Sequence, residues 1–149
     1  MADAKEMARR HIELFNEGKL DELAREWAED IDFETPLSGK IRGREAVIAY
    51  WKQTRQGFPD MKVEVRTMVA EGPRVAAEYT VTGTNRGSLK MPTGETIPPT
   101  NKKVTIPGLD ISEMTGDGKL KSLHQYFDTA GIFQQLGLVP AAEGAGARG

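Results

Sequence analysis

Cysteine is absent from this chain of 149 residues, and histidine occurs only twice. The absence of thiols excludes disulfide bonds, thiolate nucleophiles and cysteine-ligated zinc sites. His11 and His124 are far apart, and neither belongs to a His-x-x-x-His pair or a carboxylate cluster, so the sequence predicts no metal site. A glycine-rich nucleotide loop is also missing, and we expect any reaction to need no cofactor.

Excess charge, basic tracts and long apolar runs are missing as well. Lys and Arg number 20 against 22 Asp and Glu, and no basic run is longer than a pair, which leaves no electrostatic basis for binding nucleic acid. No apolar stretch approaches the roughly 20 residues of a membrane-spanning helix, and the N-terminus lacks the apolar core of a signal peptide. We expect a cytoplasmic protein without nucleic-acid or membrane partners.

Helical periodicity in the first half of the chain gives way to strand-like alternation in the second half. The predicted helices cover residues 3–16, 20–28 and 44–56, and a short final helix follows Asp128. The predicted strands cover residues 31–35, 61–70, 74–82, 103–114 and 119–127, with a long loop over 85–101. This order predicts an α+β fold with helices packed on a strongly curved antiparallel sheet, which forms a cone whose open end favours a pocket. We assign residues 1–140 to one domain and residues 141–149, which are rich in Gly and Ala, to a disordered tail.

The last predicted strand carries the candidate catalytic groups. Side chains alternate along a strand, so His124, Tyr126 and Asp128 share one face and supply the parts of a general acid/base site. The opposite face carries Leu123 and Phe127, which is also typical of a buried face, and periodicity does not decide between the two. Each polar residue has a structural alternative: His124 and Tyr126 fit a packed or exposed strand, and Asp128 precedes the predicted final helix, where aspartate is a favoured N-cap.

Four groups of fragments, in this order and at this spacing, carry a resemblance to a known family. They are residues 13–18, then 43–46 with 58–60, then 83–87 with 98–100, and finally 117–120 leading to Asp128 and 135–137. Together they resemble the SnoaL-like polyketide cyclase family within the NTF2-like superfamily, whose fold is a cone-shaped α+β barrel. The resemblance implies that the acid at the end of the last strand, Asp128, is a general acid/base. The position of Asn85 is often histidine in that family, and asparagine there weakens a polarising role.

Aromatic residues and the long loop supply candidates for binding a substrate. Phe33 and Trp51 flank the mouth of such a cone, Tyr79 and Tyr126 could line it, and Met91 lies on the loop where a lid residue would lie. Asn85 completes this predicted set. The alternative for each aromatic residue is that it fills the core.

Three functions fit these observations. The first is a cofactor-independent acid/base enzyme acting on a hydrophobic small molecule that bears a carbonyl, either a polyketide (aldol-type, or ester) cyclase or an isomerase, in the lyase or isomerase class. The second is a small-molecule binding module without catalysis, and the third is a protein-interaction domain of the NTF2-like kind. We expect a homodimer or homotetramer, paired through the outer face of the sheet at residues such as Glu78, Thr80 and Thr82.

Overall fold

A computed structural model describes residues 3–91 and 93–139. The expected tail at 141–149 lies outside the described residues. The described residues form four helices and eight strands. In chain order they are α1 (Ala4–Asn16), α2 (Leu20–Ala24), β1 (Trp27–Thr35), β2 (Gly39–Arg42), α3 (Arg44–Gly57), β3 (Lys62–Glu71), β4 (Arg74–Thr84), β5 (Leu89–Lys90), β6 (Thr96–Ile97), β7 (Lys103–Met114), β8 (Leu120–Phe127) and α4 (Thr129–Gln135).

A six-stranded sheet in the order β2-β1-β8-β7-β4-β3 forms the body of the fold. Its neighbours are antiparallel except for β1 and β8, which run parallel. The α+β class and the curved sheet with N-terminal helices are therefore confirmed, but the sheet is mixed and not purely antiparallel. The parallel pair joins β1, which lies in the helical half of the chain, to β8, the last strand. Local sequence patterns do not reveal a pairing between strands so far apart in the chain.

The second predicted helix is too long. α2 ends at Ala24, and Trp27 already begins β1, whereas we expected the helix to continue to residue 28. Trp27 is buried because it lies in the sheet beside Leu120, and its carbonyl oxygen accepts a hydrogen bond from the Nε atom of Arg44 at 3.2 Å. The apolar spacing at Trp27 fitted both a helix and a strand. The pairing of Trp27 with Leu120 made it a strand.

Helix α1 ends where its glycine predicts. Gly18 has φ 75°, and the backbone N–H groups of Gly18 and Lys19 donate to the carbonyls of Phe15 and Leu14, as in a helix terminated by a left-handed glycine. The Asn16 side chain then ties this end to β3 by donating to the Val63 carbonyl and accepting from the Val63 N–H, both at 2.8 Å. The helix is therefore held against the sheet at its C-terminal end.

Two hydrophobic clusters hold the layers together. The larger lies between helices α1 to α3 and the inner face of the sheet, where the rings of Phe15, Phe33, Tyr50 and Trp51 pack with centroids 5.0–5.7 Å apart. The smaller joins α4 to the start of β7 through Val104, Ile106, Ile132 and Leu136. No helix within residues 3–91 and 93–139 is long and apolar enough to cross a membrane.

Candidate active site

An apolar cavity of about 170 Å³ lies between the helices and the inner face of the sheet. A void of roughly 150 Å³ lined by aliphatic and aromatic side chains accepts a benzene-sized guest. The side chains that enclose this cavity come from all layers of the fold, including His11 of α1, Tyr50 and Trp51 of α3, Tyr79 of β4, Asp110 and Ser112 of β7, and Leu123, Gln125 and Phe127 of β8.

The face of the last strand that borders this cavity is not the face that carries the candidate catalytic groups. Leu123, Gln125 and Phe127 line it, whereas His124 and Tyr126 lie on the outer face, where Tyr126 is 55% exposed. The pairing of β8 with β7 fixes this orientation, because His124 lies opposite Ile111 and Tyr126 opposite Leu109, and both partners are also exposed. Both faces of β8 carry apolar side chains, so period-two alternation could not identify the buried one.

Asp128 and His124 have partners outside the cavity. The exposed Asp128 carboxylate caps α4 by accepting a hydrogen bond from the Gly131 N–H at 3.1 Å. Helix capping is the structural role that the sequence offered for Asp128 as the alternative to catalysis. The His124 Nε2 atom lies 3.4 Å from the Asp32 carboxylate on the outer face of the sheet. Neither member of the expected catalytic pair lines the cavity.

The acid that borders the cavity is Asp110, which sequence reasoning missed. It lies on the inner face of β7, in register with Ala77 on β4 and with Gln125 on β8. Burial raises the pKa of the Asp110 carboxyl to about 7, and hydrogen bonding from the Gln125 side chain opposes that shift only in part. The available signal was its position: Val104, Ile106, Gly108, Ser112 and Met114 share its face of β7 and are buried, so a carboxyl falls within an apolar stripe.

Tyr79 lies beside this acid. Its side chain is 3% exposed and its ring packs against Gly108, where a Cβ atom would come within 2.5 Å of the ring carbon Cε1. A side chain at position 108 would thus displace the ring. Burial chiefly, and the charge of Asp110 in addition, raise the pKa of the Tyr79 hydroxyl above its usual range, so the phenol stays protonated.

Histidine 11 also faces the cavity, although its place on the apolar side of α1 indicated a structural residue. Burial lowers its pKa to about 4, despite the Glu26 carboxylate 3.7 Å from its Nε2 atom. Among the described residues, this Nε2 is the one buried side-chain nitrogen or oxygen without a hydrogen-bond partner. His11 is therefore neutral at pH 7.

Comparison with known protein families gives a clear result. The family model described as SnoaL-like polyketide cyclase matches residues 5–136, which is most of the chain. The chain belongs to the SnoaL-like polyketide cyclase family. The resemblance seen in the sequence fragments is confirmed.

Solved structures share the SnoaL-like fold. AclR from Streptomyces galilaeus, named as a candidate hydroxylase, superposes with a TM-score of 0.79 at 23% identity over 95% of this chain and 89% of its own. IdmH from Streptomyces antibioticus, named as a candidate polyketide cyclase, gives 0.75 at 27% identity over 91% and 99%. A candidate SnoaL-like polyketide cyclase from Jannaschia sp. CCS1 gives 0.77 at 22% over 92% and 93%. None of the curated proteins compared with the sequence matches it.

Asn85 of this SnoaL-like chain is an anchor for the long loop. It is fully buried, its Nδ2 atom donates to the carbonyls of Gly57 and Gly87, and its Oδ1 atom accepts from the N–H and hydroxyl of Thr100. These four bonds use the whole amide, and Asn85 does not line the cavity. We expected it to bind substrate, and the structure places it behind the loop instead.

The remaining predicted binding residues divide into two groups. Trp51 and Tyr79 line the cavity, and their contact with a substrate stays a prediction. Phe33 is completely buried against Tyr50 and Trp51, and Met91 lies in the turn of the β5–β6 hairpin, where its N–H donates to the Glu95 carbonyl. Neither contributes to the cavity lining. Within residues 3–91 and 93–139, no three or more of His, Asp and Glu are grouped so that they could hold a metal ion.

Proposed function

We propose that this protein is a cofactor-independent acid/base enzyme of the cyclase or isomerase type, acting on an apolar small molecule that bears a carbonyl, with Asp110 as the catalytic acid/base. Family membership supports the cyclase or isomerase class. The observation that carries the proposal is a single carboxyl, with a pKa of about 7, beside an otherwise largely apolar cavity.

The surroundings of Asp110 suit the removal of a proton from carbon. A C–H bond next to a carbonyl loses its proton slowly because the enolate is poorly stabilised, and general acid/base catalysis by a positioned group accelerates such steps by about 10²–10⁴-fold. A group whose pKa lies near the working pH can both accept and return the proton. The same step initiates an intramolecular aldol ring closure or an isomerisation of a double bond.

The other titratable groups around the cavity do not compete for this role. His11 has a pKa of about 4, and burial raises the pKa of both Tyr50 and Tyr79. At neutral pH all three are uncharged. Among the described residues that line the cavity, Asp110 is the only acid, so it supplies the one carboxylate there that can accept the substrate proton.

Solvent deuterium exchange tests this proposal without knowledge of the natural substrate. Phenylacetone is an apolar ketone with one aromatic ring and enolisable C–H bonds. We expect the parent protein to accelerate its deuteration, followed by NMR, with a pH profile that rises as Asp110 ionises near pH 7. Asp110→Asn keeps the shape and the polar partner of Gln125 but cannot accept the proton, and the rate should fall by about 10²–10⁴-fold.

The matched control is Asp128→Asn, the same change at the exposed helix cap. Its exchange rate should equal that of the parent. Exchange in Asp110→Asn as fast as in the parent would remove Asp110 from the mechanism. Loss of exchange in Asp128→Asn alone would restore our first expectation, that Asp128 is the acid/base.

The binding module without catalysis is the second candidate function, because it needs the cavity alone. In that case the parent and the variants would all bind phenylacetone, and none would exchange its C–H hydrogen for deuterium. The cavity between sheet and helices is less readily explained by a domain that only binds proteins.

We also propose that two copies pair through the outer face of the sheet. Large apolar side chains are exposed there on three strands, namely Val69, Leu109, Ile111 and Tyr126. Val69 and Ile111 both flank Ala76, and Leu109 lies opposite Tyr126, so the four form one surface. Of the polar positions that we named first, Glu78 and Thr80 lie on the same face of β4, whereas Thr82 borders the cavity.

A further inference from the structure

Tyr79 is a polar neighbour of Asp110 that has no role in the proposed proton transfer. Its hydroxyl is close enough for the charge of Asp110 to raise the phenol pKa, and no hydrogen bond contributes to that shift. No hydrogen bond joins the Tyr79 hydroxyl to any of the described residues, and the side chain lines the cavity. A protonated phenol that borders an apolar cavity and lacks a protein partner is able to donate to a guest.

The backbone holds this phenol in one place. Tyr79 lies opposite Gly108 in the β4–β7 register, and Asp110 follows two residues later on the same face of β7. Since residues two apart on a strand lie about 6–7 Å apart, the ring over Gly108 and the Asp110 side chain are neighbours on the inner face, and both line the cavity. Gly108 and Ala77, the smallest side chains of this region, leave room above the strands for both groups.

We propose that Tyr79 is a further catalytic residue, whose hydroxyl donates a hydrogen bond to the substrate oxygen that becomes negatively charged when Asp110 removes the proton from carbon. This inference rests on the proposed function and assigns the site a second part, an oxyanion-binding donor. The Asp110 carboxyl, once it carries the transferred proton, is neutral and does not repel the enolate. The phenol remains protonated throughout because its pKa lies above its usual range.

The ligand class that follows is a single-ring or larger apolar molecule with an enolate or phenolate oxygen. An enolate and a phenolate share one feature, an anionic oxygen on an sp² carbon, so a phenolate serves as a stable analogue of the charged intermediate. Hydrogen bonds to a charged group are stronger than those between neutral groups. The Tyr79 hydroxyl should therefore contribute more to binding of the anion than to binding of the neutral phenol.

Binding of para-nitrophenol tests the inference, because its neutral and anionic forms absorb at different wavelengths. The parent should bind it, and at pH 6 the bound molecule should be more ionised than the free one. Tyr79→Phe keeps the ring over Gly108 and removes only the hydroxyl, so the fold should be retained, as thermal unfolding will show. Its affinity for the anion should fall roughly 10- to 100-fold, and the absorption of the bound probe should move towards the neutral form.

Tyr126→Phe is the matched control, since the same atom is removed from the outer face of the sheet. It should bind the probe as the parent does. Unchanged affinity and spectrum in Tyr79→Phe, a bound probe no more ionised than the free one, or no binding to the parent would each overturn the inference.

Asp110→Asn separates this result from the proposed function. Its amide is a neutral donor, so the variant should still bind the anion, and at pH 8 more tightly than the parent, whose ionised carboxylate repels it. If Asp110→Asn loses deuterium exchange but Tyr79→Phe binds the phenolate as the parent does, the role of Asp110 is supported and the role of Tyr79 is rejected. The reverse result would retain the donor and reject the base.

Discussion

Single residues determine the chemistry of this protein through their surroundings more than through their type. The chain has 22 acidic residues, and Asp110 differs from the exposed Asp128 only in what surrounds it. Burial beside an apolar cavity raises the Asp110 pKa to about 7, whereas Asp128 accepts a backbone hydrogen bond at the start of α4. The same carboxyl group is therefore a candidate proton carrier at one site and a helix cap at the other.

Asp110 should also make stability depend on pH. The carboxyl holds its proton up to about pH 7 in the folded protein and only to about pH 4 in the unfolded chain, so the folded state binds more protons between these values. Its contribution to the free energy of unfolding is greatest below pH 4 and is lost as the pH rises through 7. We expect Asp110→Asn to be more stable than the parent at pH 8, by on the order of 2–4 kcal/mol, and the difference to vanish towards pH 4.

Urea unfolding at pH 4, 6 and 8 measures this difference. Other carboxyl groups contribute equally to both proteins, so only the difference between them is informative. A constant difference across this pH range would show that the Asp110 carboxyl titrates as it does in the unfolded chain.

At the scale of elements, the short helix α4 depends on its cap and on its attachment to β7. Asp128 satisfies the Gly131 N–H, the Gln135 side chain bonds the Thr105 N–H and carbonyl at 2.7 and 3.0 Å, and Ile132 and Leu136 are buried. The helix thus closes the end of the cavity to which it contributes Ile132.

Removal of the cap should reduce stability without affecting the chemistry. Asp128→Ala loses the hydrogen bond to Gly131, and the free energy of unfolding should fall by about 1 kcal/mol. Asp128→Asn should keep most of it, because asparagine caps helices about as well as aspartate. Thermal or urea unfolding checks both, and equal losses in the two variants would mean that the carboxylate charge, and not the capping bond, stabilises this end.

Local patterns predicted the elements well where one structure alone satisfied them. The helices predicted over residues 3–16 and 44–56 agree closely with α1 and α3, because their apolar spacing fits a helix alone and a glycine marks the end of each. Local patterns failed at Trp27, where a helical spacing and a strand both bury the ring, and at β8, where both faces are apolar. At Trp27 the choice came from pairing with the distant strand β8, and at β8 it came from the register with the neighbouring strand β7.

For the whole molecule, the two faces of the sheet differ in what covers them. The inner face encloses the cavity with the helices, and the outer face exposes the four apolar side chains that we assign to pairing of two copies. Leu109 and Ile111 are each 39% exposed, which is unfavourable in water unless another surface covers them.

Pairing through this face predicts that one charge in its centre will separate the copies. Ile111→Glu should shift the protein from dimer or tetramer to monomer in sedimentation velocity at a fixed concentration, because an unpaired buried carboxylate is costly. Gln53→Glu adds the same charge on the exposed surface of α3 and should leave the assembly unchanged. A parent that sediments as a monomer would reject this interface.

The alternation of apolar residues and the positions of the glycines were sufficient to predict the α+β class and the order of most elements, because these depend on neighbours within a few residues. The family was indicated by the resemblance of four groups of fragments to known sequences. The cytoplasmic location and the disordered tail stay predictions. The cavity, the position of Asp110 beside it and the burial of Asn85 behind the loop were decided only when the chain folded. Alternation puts neighbouring side chains on opposite faces but does not say which face is buried. Burial raises the pKa of Asp110, and that burial exists only once β7 is paired with β4 and β8 and the helices cover the inner face of the sheet.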